Sequence, residues 1–455
     1  MEVTKTLARF IVNHRYADIP QKVRHEAARS FLNWVGCAVG ASRHETVENA
    51  LAALSEFSGP REATVLGRGD RLDIMLAALM NGTTSHTFDF DDTHLKTVIH
   101  PSGPVASAIL ALAERKPVKG EDFLHAFILG VETECRIGNA VYPSHYDVGW
   151  HITATTGVFG AAAAAGKLLG LSEQQMVWAL GIAATQSSGL REMFGTMVKP
   201  MHPGNAARNG LLAALLASKN FTSAEQGIEG RRGFANVLAT QRNFAEITEK
   251  LGETWEISLN TYKPYACGIV EHPAIDGCVQ LRNEHKLKAE DIENIALKVH
   301  PLVLELTGRK TPQTGLEGKF SVYHSSAVAI VHGAAGEEQY SDAVVRDARI
   351  MSLRDRVTAT VDRAIHEDQV HVAIKLKDGR TLEKYIEHVV GSLGKPMSDA
   401  DLEAKFRGLA EGILARSETD KLIGLCWEVG KLKDAAETAR ASVPANTAKS
   451  KAGAR

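Results

Sequence analysis

From Val3 to about Leu251 the apolar positions recur at the three-to-four-residue spacing of buried helices. Ile74-Met75-Leu76-Ala77-Ala78-Leu79-Met80, Val105 to Ala113, Phe123 to Gly130 and Gly157 to Leu169 are such runs, without strand alternation or β-branched enrichment. Leu7, Phe10, Ile11 and Val12 continue the pattern into the N-terminus, which lacks the apolar core of a signal peptide. Ala and Gly are frequent inside these runs; small residues lower helix propensity but let helix axes approach closely, so a compact helical layer is expected. Ala63-Thr64-Val65-Leu66 and the turn Gly67-Arg68-Gly69-Asp70 read as a hairpin or loop, with no sign of a phosphate loop, and no Gly-rich dinucleotide fingerprint follows a strand.

The pattern changes near Leu259. Ile295, Leu297 and Val299 alternate with other residues and read as a strand ending at His300-Pro301. Val370, Val372, Ile374 and Leu376 alternate again, and Lys377-Asp378-Gly379-Arg380 is a hairpin turn before a return run over Thr381 to Val390. A helix is expected from about Ser325-Ser326-Ala327, and helical periodicity returns from Met397 through Lys431. The predicted fold is mainly α: a large all-helical domain from residues 1–260 and 394–436, with a smaller α+β lid domain, residues 261–393, inserted into it. Residues 437–455, rich in Ala, Ser and Lys, read as a disordered tail.

A chain of 455 residues with a formal charge of −2 can bury a large core, and it offers no electrostatic case for nucleic acid or an acidic membrane. Gly157 to Gly170 is too short, too Ala/Gly-rich and too interrupted by Lys167 to span a bilayer. Cys37, Cys135, Cys267, Cys278 and Cys426 are scattered, without metal-ligand spacing. These features describe a soluble, cytoplasmic protein without disulfides or structural zinc.

The chemistry concentrates in His86-Thr87-Phe88-Asp89-Phe90-Asp91-Asp92-Thr93-His94, followed by His100-Pro101-Ser102-Gly103. Three carboxylates and three imidazoles between helical runs are costly to bury unless they meet a ligand or one another. Helix capping by Asp-Asp-Thr and a helix opened at Pro101 account for part of the same pattern. Four further segments add polar groups. His151, in Gly149-Trp150-His151, fits a helix cap as well as an acid–base group. In Lys199-Pro200-Met201-His202-Pro203-Gly204-Asn205, Lys199, His202 and the Gly204-Asn205 backbone suit a carboxylate cradle, and equally an ordinary helix start. Lys263, in Tyr262-Lys263-Pro264, lies at the domain boundary, within reach of a substrate or in a mere linker; Tyr323 and His324 adjoin in Lys319-Phe320-Ser321-Val322-Tyr323-His324. There is no G-x-S-x-G elbow and no feature marking Cys267 as an activated thiol. The aspartates do not continue into a calcium loop, and ligand type alone leaves open a divalent ion on them with His94 or His100.

In this order the segments resemble the MmgE/PrpD family, which includes 2-methylcitrate dehydratase, cis-aconitate decarboxylase and iminodisuccinate epimerase. The resemblance runs from about Leu7 to Lys431, carried by Asp89-Phe90-Asp91-Asp92-Thr93 with His100-Pro101-Ser102, by Gly149-Trp150-His151, and by Lys199-Pro200-Met201-His202 with Gly204-Asn205-Ala206-Ala207. It implies a helical domain with an α+β lid, a homodimer, and a pocket between the domains that uses neither metal nor cofactor. His100, Asp89 and His151 would be catalytic, with His100 moving the proton; Thr93, Lys199, Lys263, His202, Tyr323 and His324 would bind the substrate, a small polycarboxylate. Two departures point away from the decarboxylase branch: His324 stands where many relatives have tyrosine, with Tyr323 one position earlier, and the Thr93–His100 spacing is longer. The expected reaction is dehydration of a hydroxy-polycarboxylate such as 2-methylcitrate, with epimerisation or decarboxylation of a related acid as the alternative.

Overall fold

The computed structural model describes residues 2–445. All four apolar runs are helices: Ile74–His86, Ser102–Arg115, Gly120–Val141 and Ile152–Leu168. With Val198–Ala217 they form one layer in which Val198–Ala217 lies against both Ile74–His86 and Ile152–Leu168. The many small residues let the backbones meet. Gly82 and Gly204 face each other at the crossing of Ile74–His86 with Val198–Ala217, where a Cβ on Gly204 would overlap the Leu79 carbonyl oxygen and the Thr83 hydroxyl. Lys167, the one charge in its apolar run, donates from Nζ to the carbonyls of Ile11 (2.9 Å), Val12 (2.8 Å) and His14 (2.9 Å), closing the end of the helix Val3–Asn13.

Of the hairpin or loop expected there, the hairpin forms: Ala63–Thr64 pairs antiparallel with Arg71–Leu72. The alternating runs form a four-stranded mixed sheet in the order Val357–Val361, Ile292–Val299, Val370–Leu376, Thr381–Ile386, in which only the first pair is parallel. Its inward residues, including Ile295, Leu297, Val372 and Ile374, are buried, and the helices His272–His285 and Val322–His332 pack beside it. Val357–Val361, absent from the sequence reading, follows a helix after only two residues and is exposed along much of its length. The helix expected near Ser325 begins earlier, at Val322, because the Ser321 side chain accepts from the His324 amide and caps it.

Two large hydrophobic cores result, with a smaller third around Val47, Ile74, Ala111 and Leu211. The first draws on residues from Val3 to Tyr262 and again from Met397 to Ala439; the second runs from Ala266 to Val389 and takes in Cys37 and Phe90 from the helical block. The helix Asp399–Ala410 returns to pack on Gln21–Gly40. One expectation fails for part of its span: residues 437–445 are folded, not disordered. Glu437–Ala441 is helical, Thr438, Ala439 and Ser442 are buried, and the Ser442 hydroxyl accepts from the Gly67 amide. Small side chains bury little area each, but they fit a narrow seam that composition alone does not reveal. Residues 446–455 of the expected tail lie outside the described residues. All five cysteines are free and buried, and among the described residues no helix is long and apolar enough to cross a membrane.

The Gly204 crossing yields a test. Gly204→Ala is expected to destabilise the protein by about 1–3 kcal/mol, as overpacking does. The midpoint of thermal unfolding should fall accordingly, whereas Gly408→Ala, whose Cβ would meet open space, should leave it unchanged or raise it.

Candidate active site

The helix Ile74–His86 delivers the acidic segment. Asp73 caps its start, accepting from the amides of Met75 (2.9 Å) and Leu76 (3.1 Å), and His86 is its last residue. The chain then turns through Asp89, which has φ 51°, a left-handed conformation unusual for a residue other than glycine. Thr93–His94 pairs antiparallel with Asn260–Thr261, so the acidic segment is stitched to the chain just before Lys263. The His94 amide donates to the Ile99 carbonyl (2.8 Å), which folds the chain back and sets His100 beside the aspartates. Within that turn Val98 has φ 54°, a strained conformation for a β-branched side chain that costs about 1–3 kcal/mol.

The three aspartates take different partners. Asp89 Oδ1 receives Lys199 Nζ (2.9 Å) and Lys263 Nζ (2.7 Å), and Lys263 also donates to the Asp89 carbonyl (3.0 Å). Burial alone would raise the Asp89 carboxyl; the two ammonium groups outweigh it and hold it well below the usual carboxylate range. Asp91 receives His86 Nδ1 on both oxygens (2.8 and 3.0 Å) and lies 3.6 Å from His100 Nδ1. Asp92 is structural: the Ser102 hydroxyl donates to it, as does the Asn260 amide, tying the strand pair to the helix Ser102–Arg115. Burial, reinforced by the neighbouring Asp91, pushes its carboxyl up to about 7.

The imidazoles form a file. His100 and His86 have ring centroids 4.6 Å apart, His86 and His151 6.0 Å, and His151 and His202 5.1 Å, with the last pair joined Nδ1 to Nδ1 at 2.9 Å. His100 Nδ1 lies 2.9 Å from the Asp92 carbonyl oxygen. A carbonyl only accepts, so Nδ1 carries the hydrogen and Nε2 is the basic nitrogen of the neutral ring. Burial holds His100 and His151 well below the ordinary imidazole value and brings His202 down to about 4. All are neutral bases near pH 7.

Asp89, His100, His151, Lys199 and Lys263 line one cavity of about 40 Å³, together with Val98, Tyr146, Phe194 and Phe320. Phe194 comes from the helical block and Phe320 from the α+β segment; their rings stack at 5.7 Å. Both also line an outer cleft of about 610 Å³, which holds Arg191, Glu305 and Arg309. Two phenyl rings therefore stand between the open cleft and the charged interior.

Of the residues singled out in the sequence, Asp89, His100, His151, Lys199 and Lys263 meet around this cavity. Thr93 is close behind, its hydroxyl 3.3 Å from His100 Nδ1, and His202 backs His151. Tyr323 and His324 are not among the lining residues. His324 Nε2 donates to the Gln339 carbonyl (3.0 Å), and Lys310 lies over the Tyr323 ring at 5.2 Å. The backbone cradle expected at Gly204-Asn205 is not formed, because the helix starts at Val198 and carries those residues in its interior; Gly204 serves helix packing instead. His86 and Asp91 were visible in the segment without an assigned role, and their five-residue separation across a helix end conceals the contact. The ligand atoms of His86, Asp89, Asp91 and His100 lie within 4.8 Å of one another, a donor set of the right size for a divalent cation. Such an ion would face both ammonium groups on Asp89, so the set is poorly suited to it as arranged.

The MmgE/PrpD N-terminal domain matches residues 5–247 and the MmgE/PrpD C-terminal domain residues 265–429. The cis-aconitate decarboxylase of Aspergillus terreus is 29% identical over 462 residues, covering 95% of this chain and 94% of its own. That of Homo sapiens is 27% identical over 452 residues, covering 95% and 92%. The 2-methylcitrate dehydratase of Salmonella typhimurium is 23% identical over 391 residues, covering 79% and 77%. Two matched domains spanning most of the chain, and relatives that are decarboxylases and dehydratases matched over most of their length, make this protein a member of the MmgE/PrpD family of lyases.

Proposed function

We propose that the enzyme acts on a small polycarboxylate by moving a proton at a carbon next to a carboxylate, without a metal. The observation that carries this is the meeting of a lysine pair with a neutral His100 in the Nδ1–H form around one cavity. Of the lysines and aspartates of the cluster, two ammonium groups and one carboxylate, Asp89, line the cavity, so its wall presents positive charge to a substrate carboxylate while Asp91 balances that charge from behind. The same charge would stabilise an enolate-like intermediate. Carbon dioxide loss breaks a C–C bond, leaves its electron pair on carbon and needs one proton delivered there; dehydration removes a proton from carbon and gives one to the departing hydroxyl. A file of imidazoles suits either.

Decarboxylation of an unsaturated tricarboxylate such as cis-aconitate is the leading reaction. The decarboxylase relatives match with higher identity and coverage than the Salmonella dehydratase. His324, whose departure pointed the other way, is held by Gln339 outside the cavity lining. Dehydration of 2-methylcitrate is the second reading, supported by the dehydratase relatives. A cavity of about 40 Å³ holds a few waters rather than a tricarboxylate. We infer that the α+β segment acts as a lid, parting Phe320 from Phe194 to admit substrate.

Four measurements test this reading. Enzyme treated with chelator and given cis-aconitate, 2-methylcitrate and citrate should release carbon dioxide from cis-aconitate at the untreated rate. Alkene formation from 2-methylcitrate alone would make it a dehydratase, loss of activity on chelation would bring in a metal, and no turnover of any acid would end the lyase reading of this site. His100→Ala should lower kcat by about 10²–10⁴-fold with little change in KM, since it removes a proton-transfer group. If His100 gives the proton that decarboxylation needs, it must be protonated to react; because burial keeps it neutral in the free enzyme, kcat/KM, corrected for substrate ionisation, should fall with rising pH from a midpoint below pH 6.5, and a midpoint at or above that value would contradict the assignment. Lys199→Ala should raise KM about 10–100-fold, the loss of one charge-assisted hydrogen bond, in steady-state assays.

A further inference from the structure

Asp89 holds a left-handed conformation, which aspartate adopts more readily than most residues but less freely than glycine. The three successive carbonyls around it explain how. Each accepts from a different lysine: Phe88 from Lys319 (2.8 Å), Asp89 from Lys263 (3.0 Å) and Phe90 from Lys405 (2.6 Å). Only Lys263 of these lines the cavity.

The other two lysines reach in from separate parts of the chain and make parallel connections. Lys319 is buried, at 1% exposure, and also donates to the Ala266 carbonyl (2.9 Å) and to the Glu337 carboxylate. Lys405 lies on Asp399–Ala410, the helix that returns to the first core, and is partly exposed. Its Nζ also donates to the Lys263 carbonyl (2.9 Å) and to Asn33 Oδ1 (2.8 Å), and sits 3.9 Å from the Phe90 ring centre. Each therefore joins a carbonyl adjoining Asp89 to a carbonyl at one end of the segment 263–266.

We propose that Lys319 and Lys405 are positioning residues that clamp the Asp89 turn to the Lys263 segment from both sides, fixing the Asp89–Lys263 ion pair on which the polycarboxylate chemistry depends. Neither is placed to touch substrate. Ammonium groups suit this task because each has three donors and can bridge three oxygens at once. The two clamps differ in their third partner. Lys319 has a carboxylate, whereas all three acceptors of Lys405 are neutral, and burial brings Lys405 down to about 8. The functional part of this inference rests on the lyase reading above; the structural part does not.

The experiment is backbone hydrogen exchange of the 88–92 segment in Lys319→Met and Lys405→Met, together with kcat on the acid that wild type converts. Methionine keeps the length of the side chain and removes the donors. Exchange should quicken about tenfold or more in that segment and not in the helices of the first core, since only the local opening is eased. Turnover should fall about tenfold or more. Lys405→Arg, which keeps donors at a partly exposed position, should restore both towards wild type. Unchanged exchange at 88–92, equal acceleration across the whole chain, or wild-type turnover in both methionine variants would overturn the clamp. Should Lys319→Met fail to fold, Glu337→Gln and Asn33→Ala weaken each grip without removing a lysine, and the same exchange criterion applies. If wild type converts no acid, the lyase reading falls, and exchange alone then decides the clamp.

Discussion

The site depends on one buried carboxylate shared by two ammonium groups. Asp89, Lys199 and Lys263 come from a turn after one helix, the first turn of a second helix and the strand-like segment that leads to the second core. An isolated buried charge of this kind would be prohibitive, and removing one partner from a buried pair typically costs about 3–5 kcal/mol. The interaction therefore joins three distant parts of the chain at one point and makes their relative placement a condition of stability. Chemistry and architecture draw on the same contacts here.

The helical layer makes that meeting geometrically possible. Lys199 stands on a helix whose Gly204 touches the helix that ends in His86. A bulkier residue at the crossing would move the lysine away from Asp89 and His202 away from the file of imidazoles. The glycine that looked like part of an anion cradle thus serves the site indirectly, by setting the spacing between two helices.

Much of this was legible in the sequence. The helical runs, the Ala63–Leu72 hairpin and the strands at 292–299 and 370–386 follow from periodicity, because each buries one side of its own element. Asp89, His100, His151, Lys199 and Lys263 were recognisable because polar groups in apolar surroundings need partners, and the family resemblance grouped them. The partners themselves were not legible. Lys405 is more than 300 residues from Phe90 and looks like any lysine of an amphipathic helix, and nothing local marks Lys319 as buried. The folded residues 437–445 escaped notice for a related reason: their small side chains fill a seam formed by other parts of the chain.

The histidine file has a consequence for how a ligand is received. In the resting protein the charges of Lys199 and Lys263 are balanced by Asp89 and Asp91, and the imidazoles are neutral because burial disfavours their charged form. A polycarboxylate entering this space brings negative charge that the lysines alone do not balance. It makes protonation of the nearest imidazole favourable, so binding and proton uptake become linked equilibria. The group that rests as a base would then enter the complex as an acid, and the anion would carry in, by its own field, the proton that its reaction requires.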